Sequence, residues 1–369
     1  YHRKVSQLGN HKIGLLIILF FILHLVGLLY TADKSAGLFD IEKKLSLLII
    51  PLILFSSPLT LYQRDFILAS FILFCVFLAL IGLGYGIIHY KEVVSSKGPE
   101  HLVTYISSIH RVYFSIYLLF GYFLVFYFYR KFRLGYIPVL KWTSLGFAGL
   151  LAFLIIIMAS RAVLILLIMT TAVIIFYFVV IKRKQYLKAG ILSGLGVLVL
   201  ILVYTQVGYV RKIVNDLTQD LDKGKTVNVT SVNLRVEKYK CAIQAIKSNW
   251  LVGVGTGDVQ ATLDSYYHLN NFYEGYKYSL DAHNQYLQTW IGLGLPGILL
   301  FLSLLILSLI TGVKELNYVL IYFIVLFSVC CLSESLLTTQ KGIIFFALFY
   351  PLIISNRSNL AALYSPYSK

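Results

Sequence analysis

The sequence predicts an all-α fold, a polytopic transmembrane helical bundle of about ten spans with one long, partly helical outer loop. Three observations predict it. Hydrophobic residues make up 59% of the 369-residue chain and charged residues only 13%, against about 45–50% and about 25% in soluble domains. The excess gathers in runs such as Ile13–Tyr30, Phe66–Ile88 and Ile191–Tyr204, around which spans of roughly 20 residues, the length that crosses a bilayer, can be drawn. Lys and Arg outnumber Asp and Glu by 32 to 16, and they concentrate on alternate connections. So little charge cannot cover a soluble surface of this size. An ordinary soluble enzyme, a secreted disulfide scaffold and a disordered chain are excluded on that ground.

The expected spans are 13–30, 45–62, 66–89, 112–129, 142–159, 162–181, 189–209, 285–311, 316–333 and 342–355. The second contains Pro51 and Pro58, and the last is short. With the amino terminus inside, the inner segments hold 15 Lys and Arg, among them Arg130, Lys131, Arg133 and Lys182–Lys184. The short outer segments hold 8. That bias places both termini in the cytoplasm. The net charge of +16 is therefore topology, and no nucleic-acid partner is expected. Spans one to seven fill 1–209, the long outer loop 210–283, and three further spans with an inner tail 284–369.

Among the cysteines, Cys75, Cys241, Cys330 and Cys331, only Cys241 lies in a long hydrophilic segment. No disulfide framework follows. The chain opens on Tyr1, and Ile13–Tyr30 is too long for a signal core and lacks a small-residue cleavage site.

The connection from Val210 to Ala282 carries nine basic and eight acidic residues. Loops of this length are usually functional or folded on their own. Ser231–Trp250 has a helical pattern, with Arg235, Tyr239, Ala242, Ile246 and Trp250 on one face. Gly253–Gly257 ends it. That glycine stretch has a weak likeness to a phosphate loop, but it lacks the Gly-Lys-Ser/Thr ending. It reads first as a tight turn and second as a backbone nest for an anion.

His283 is the sharpest candidate for chemistry. It lies in Asp281-Ala-His-Asn-Gln-Tyr-Leu-Gln-Thr-Trp290, where the outer loop enters the eighth span. Asp281 is placed to cap that helix. The positive end of the helix dipole favours a neutral ring there, and a neutral ring accepts a proton. The competing account is an interfacial polar residue. Arg161, in Ile157-Met-Ala-Ser-Arg-Ala-Val, either snorkels to the outer surface or holds a phosphate. Arg235 is either a solvated charge or a second phosphate ligand. Arg211 is a weaker case of the same kind. Tyr266, Tyr267, Phe272, Tyr273, Tyr276 and Tyr278 crowd the end of the loop, as interface aromatics or as sugar-stacking rings. Gly292, Gly294, Pro296 and Gly297 suit a kink or close helix packing. There is no His-Glu-x-x-His, no paired Cys and no outer carboxylate cluster, so neither metal nor cofactor is expected.

Three segments together resemble the O-antigen ligase and polymerase superfamily. The first is Ser160-Arg161-Ala-Val-Leu opening a span. The second is Arg235-Val-Glu-Lys-Tyr through Asn249-Trp-Leu-Val-Gly-Val-Gly-Thr-Gly257. The third is Ala282-His283-Asn284 through Gly294-Leu-Pro-Gly297, with ten residues between His283 and Gly294. Ser333-Glu334-Ser-Leu-Leu is similar to the family's closing segment. The likeness covers about residues 140–355.

The resemblance implies a metal-independent, inverting glycosyltransferase of the bacterial inner membrane with its site facing the periplasm. The donor it implies is a glycan on undecaprenyl diphosphate, and the acceptor a sugar hydroxyl of the lipid A core. His283 matches the catalytic histidine, and Arg161 and Arg235 match the arginines of the donor diphosphate. Arg211, Asn284 and Glu334 are secondary positions. Ligases have about twelve spans, three of them after the long loop. Seven precede it here, so two amino-terminal spans are expected to be missing. The nearest alternative is an O-antigen or exopolysaccharide polymerase of the same superfamily. A protein-glycosylating transferase and a non-catalytic lipid or polysaccharide transporter are further options; the transporter predicts inverted repeats, and none is visible.

Overall fold

The computed structural model describes residues 12–57, 59–98, 101–105, 109–132, 137–158, 160–177 and 231–355. The expected seventh span, the loop segment 210–230 with Arg211, the basic segment around Lys182 and both termini lie outside the described residues. Among those described, the regular structure is entirely helical and contains no strand.

The elements run α1 (Leu16–Tyr30), α2 (Lys34–Lys44), α3 (Ser46–Ser56), α4 (Leu61–Ile88), α5 (Tyr90–Ser96), α6 (Arg111–Lys131), α7 (Pro138–Met158) and α8 (Arg161–Ile175). After the undescribed segment follow α9 (Ser231–Ser248), α10 (Val259–Leu269), α11 (Tyr273–Lys277), α12 (Gln285–Lys314), α13 (Tyr318–Cys330) and α14 (Gln340–Ile354). A short 3₁₀ turn, Leu336–Thr338, precedes α14.

Among the described residues, four helices, α4, α6, α7 and α12, are long and apolar enough to cross a membrane by themselves; α1, α8, α13 and α14 are shorter apolar helices. The chain is a multi-pass membrane protein. The expected second span is not one continuous helix. Its described helix, α3, has 11 residues with Pro51 inside, roughly 16 Å at 1.5 Å per residue, about half of a hydrocarbon core. The sequence before it forms α2 instead. There the Asp33 side chain accepts from Ala36 N at 2.9 Å, an N-cap that starts a new helix where the run of apolar residues pauses.

The chain divides into two compact units, residues 1–70 with 235–369, and residues 71–234. In the first, α12 packs on α1 and α13, and α14 packs on α3. Its core is a ladder of stacked aromatics, Phe323, Phe327, Phe346 and Tyr350. The Tyr350 hydroxyl meets Ser308 Oγ at 2.9 Å, so the polar atoms in that apolar layer are paired. In the second unit α6 packs against α7 and α8, and the Tyr122 hydroxyl meets Thr171 Oγ1 at 2.9 Å.

The glycine-rich turn after α9 is a structural splice. α12 breaks at Gly294, whose φ of 61° and ψ of −157° are open essentially to glycine alone. Pro296 lacks an N–H, so the break leaves helix carbonyls without their usual donors. The turn supplies them: Val254 N donates to Ile291 O and Gly255 N to Gly292 O, both at 2.9 Å. In return the freed Leu295 N donates to Trp250 O at 2.9 Å and to Leu251 O at 3.1 Å. Every group cut loose by the kink thus regains a partner, as a low-dielectric setting requires.

The same turn is tied to α1 and α2. Gly257 N donates to Thr31 Oγ1 at 3.0 Å, and the Asp258 carboxylate accepts from Ala32 N at 2.6 Å and Asp33 N at 2.8 Å. The anion-nest reading of Gly253–Asp258 is therefore corrected. The amides of Gly253, Val254, Gly255, Thr256 and Gly257 all donate within the protein.

Candidate active site

The site is assembled in the first unit, where α9, the entrance to α12 and the turn after α13 meet. α9 is amphipathic, with Lys238, Cys241, Ala242, Ala245 and Ile246 buried at helical spacing. Ala242 and Ile246 are buried as their pattern predicts. The buried stripe is displaced toward Lys238, and Trp250 lies beyond the helix with 52% of its surface exposed. Along one edge of that stripe stand Arg235 and Tyr239, one turn apart. The Tyr239 hydroxyl reaches Leu332 O at 2.8 Å and His283 O at 3.4 Å, so the helix is pinned to both neighbouring segments.

His283 precedes α12 rather than occupying its first turn. The N-cap is Asn284, whose side-chain oxygen accepts from Tyr286 N at 2.9 Å and Leu287 N at 3.1 Å. The expected cap by Asp281 gives way because Asn284 sits at the correct offset from the free N–H groups. Asn284 also donates through Nδ2 to Leu332 O at 3.3 Å, and its backbone N donates to Ser335 Oγ at 3.2 Å. Both ends of its side chain are thus engaged in holding the backbone.

Asp281 serves the histidine instead. Its Oδ1 accepts from the His283 backbone N at 3.0 Å and pairs with the ring Nδ1. Together these bonds hold His283 at φ +46°, a left-handed conformation that non-glycine residues seldom adopt. Burial alone would raise the Asp281 carboxyl; the hydrogen bonds and charge of His283, and then Lys238, outweigh it and hold the carboxyl below the ordinary aspartate value. An ionised carboxylate only accepts, so Nδ1 carries the proton and Nε2 is left as the free lone pair. The segment beneath is braced from below: the buried Tyr267 hydroxyl donates to Leu280 O at 2.9 Å, and Ala282 N donates to Gln288 Oε1 at 3.1 Å.

Arg235 faces the same site. Its Nη2 lies 3.9 Å from Glu334 Oε1, with about a third of the arginine side chain exposed. Glu334 is mostly buried, and burial lifts its carboxyl above the ordinary value against the pull of His283 and Arg235, with the Asp281 charge adding to the rise. Two carboxylates in one site are thereby driven in opposite directions.

Lys238 was not among the residues that the sequence singled out. It is 4% exposed, and burial pushes its ammonium below the ordinary lysine value, with Asp281 and Glu334 opposing and Arg235 reinforcing. The signal for it was present: it lies at i−3 and i−4 from Cys241 and Ala242, inside the apolar stripe. A cation on an apolar stripe needs an anionic partner, and Asp281 supplies one.

The structure thus brings together Arg235, His283, Asn284 and Glu334 of the expected residues and adds Asp281 and Lys238. Arg161 belongs to the other unit, where it is the first residue of α8 after the extended Ser160. The loop aromatics divide. Tyr267 and Phe272 are buried against each other, whereas Tyr273, Tyr276 and Tyr278 are exposed.

The family described as O-Antigen ligase matches residues 146–302. The matched stretch contains Arg161, Arg235 and His283 together with the spliced turn and kink, and it stops short of Glu334. A comparison with curated proteins finds no match.

Proposed function

Because the chain belongs to the O-antigen ligase superfamily, we propose that it is an O-antigen ligase. It moves a glycan from undecaprenyl diphosphate to a sugar hydroxyl of the lipid A core, on the periplasmic face of the bacterial inner membrane. The observation that carries this reading is the Asp281–His283 pair beside Arg235.

The chemistry follows from those groups. Asp281 fixes the ring so that Nε2 faces outward as a base. Nε2 takes the proton of the acceptor hydroxyl as that oxygen bonds to the anomeric carbon of the donor sugar. The bond from that carbon to the diphosphate oxygen breaks on the opposite side, which inverts the anomeric centre. A positioned base contributes about 10²–10⁴-fold to such a step. The departing diphosphate is already an anion, and its growing charge is met by the guanidinium of Arg235.

The test is transfer in vitro, by the full chain in lipid nanodiscs, from an undecaprenyl-diphosphate glycan to purified lipid A core. Wild type caps the core and His283→Ala does not. Undiminished capping by His283→Ala would overturn the reading. Long carrier-linked polymer with the core left uncapped would replace it by the polymerase of the same superfamily.

A further inference from the structure

A second polar feature of the first unit shares Asp281 with the base. It is a cavity of about 240 Å³ between the ends of α1 and α12, the face of α2 and the residues after the glycine turn. Most ligand pockets hold roughly 300–1,000 Å³, so this one suits a single ring and not a chain of sugars. Its walls are unusual for a place beside membrane helices. His24, Lys44, Gln285 and Thr289 line it, and each is more than nine-tenths buried.

The hydrogen-bonding capacity of the walls is only partly used. His24 donates through Nδ1 to Phe20 O at 2.9 Å, and among the described residues Nε2 has no protein partner. Lys44 gives one N–H to Asp40; an ammonium has three, and a buried donor without an acceptor is costly. Gln288 uses its carbonyl oxygen on Ala282 N, which leaves its NH₂ group. Gln260 uses its NH₂ group on Asp264 Oδ1 at 2.9 Å and Leu280 O at 3.2 Å, which leaves its carbonyl oxygen. Among the described residues, donors and acceptors without a partner therefore line one small space.

The lining charges balance, Lys43 and Lys44 against Asp40 and Asp281, so the walls favour neither an anion nor a cation. A group that donates and accepts from every edge, without net charge, is a sugar ring with its hydroxyls. Phe39 lies at the rim, largely exposed, with Lys43 Nζ 4.9 Å from its ring centre, and offers an apolar face to such a ring. Asp281 is common to this cavity and to the His283 pair, and His283 itself does not line it, so a ring seated here lies against the carboxylate that holds the base and the base is left for the neighbouring sugar.

We infer that this cavity is an acceptor subsite, holding one neutral sugar ring of the lipid A core against Asp281, the residue that holds His283. The inference rests on the ligase reading above and assigns the role of α1 and α2, which that reading leaves without one.

The experiment measures binding apart from turnover. Binding of purified lipid A core and of lipid A without core sugars is measured for the full chain carrying His283→Ala. Two further variants are built on it: Ala36→Trp, which fills the cavity from α2, and His24→Leu, which removes an acceptor while keeping the volume. The His283→Ala protein is expected to bind lipid A core about tenfold more tightly than lipid A, the worth of one or two hydrogen bonds to a sugar. Both added variants are expected to lose that preference and to keep their thermal stabilisation by undecaprenyl diphosphate. Absence of a preference for the core, or a preference that survives both variants, overturns the inference. So does loss of the undecaprenyl diphosphate effect in Ala36→Trp, which would give the cavity to the donor. A failed transfer assay with an intact core preference would instead count against the catalytic reading alone.

Discussion

A single oxygen of Asp281 receives both the backbone N–H and the ring Nδ1 of His283. One carboxylate thereby fixes both the left-handed backbone of the histidine and the orientation of its ring. The two residues form one device, and their losses overlap. His283→Ala is expected to lower glycan transfer by about 10²–10⁴-fold. Asp281→Asn lowers it by less, and the double variant falls no further than His283→Ala, because groups that act as a unit are not additive. Single-turnover rates of the three proteins check this; a double variant much slower than His283→Ala would separate the roles.

Arg235 is expected to matter for shape as well as charge. Arg235→Ala loses about 10²–10³-fold in kcat, the usual cost of removing a fixed donor from developing negative charge. Arg235→Lys recovers only part of it, because an ammonium cannot repeat a planar fork of donors. The kcat of each variant at saturating donor decides this; full recovery with Lys would mean that a point charge is enough.

Gly294→Ala is expected to destabilise the protein by about 1–3 kcal/mol from backbone strain alone. The added Cβ would also press on the backbone of Leu251 and Val252. A lower midpoint in fluorescence-detected thermal unfolding checks it, and an unchanged midpoint would remove the kink from the account of stability.

Glu334 carries a pH signature. Its carboxyl is raised in the folded protein by burial, so the fold gains from the protonated form and loses that gain as the pH climbs through the raised value. Glu334→Gln mimics the protonated form. It should unfold at a higher temperature than wild type at neutral pH, with the difference shrinking as the pH falls through the raised value and already at its smallest below the ordinary glutamate value of 4.5. A difference that grew toward acid pH would reverse the assignment.

Much of the fold was legible because lipid and water sort residues by simple rules. The long runs became α4, α6, α7 and α12, and the Gly-Leu-Gly-Leu-Pro-Gly stretch became a kinked helix, as its composition predicts. The 45–62 segment misled, because hydropathy does not register that Asp33 starts a helix early and Pro51 sits inside a short one. At the site, His283 and Arg235 stood out as charges or ligands in unusual places. Asp281 was visible but assigned to the wrong task. An acidic residue just ahead of a helix suits either task, cap or ring partner, and only the backbone path after Ala282 separates them. Lys238 was hidden by habit: a lysine next to Glu237 on a loop helix reads as solvated until its neighbours are known. The use of the glycine turn could not be read locally either, since its partners on α12 are some forty residues away in sequence.

The splice between that turn and α12 also sets a sequence of events during synthesis. The ribosome releases Trp250 and Leu251 before Leu295, so the carbonyls that will receive the stray amide emerge first. The broken helix lacks partners for its freed backbone groups until the glycine turn has folded back upon it. Membrane insertion of the helix behind His283 and folding of the loop that carries Arg235 are therefore one step. A chain that fails at either does not bring Arg235 and His283 together.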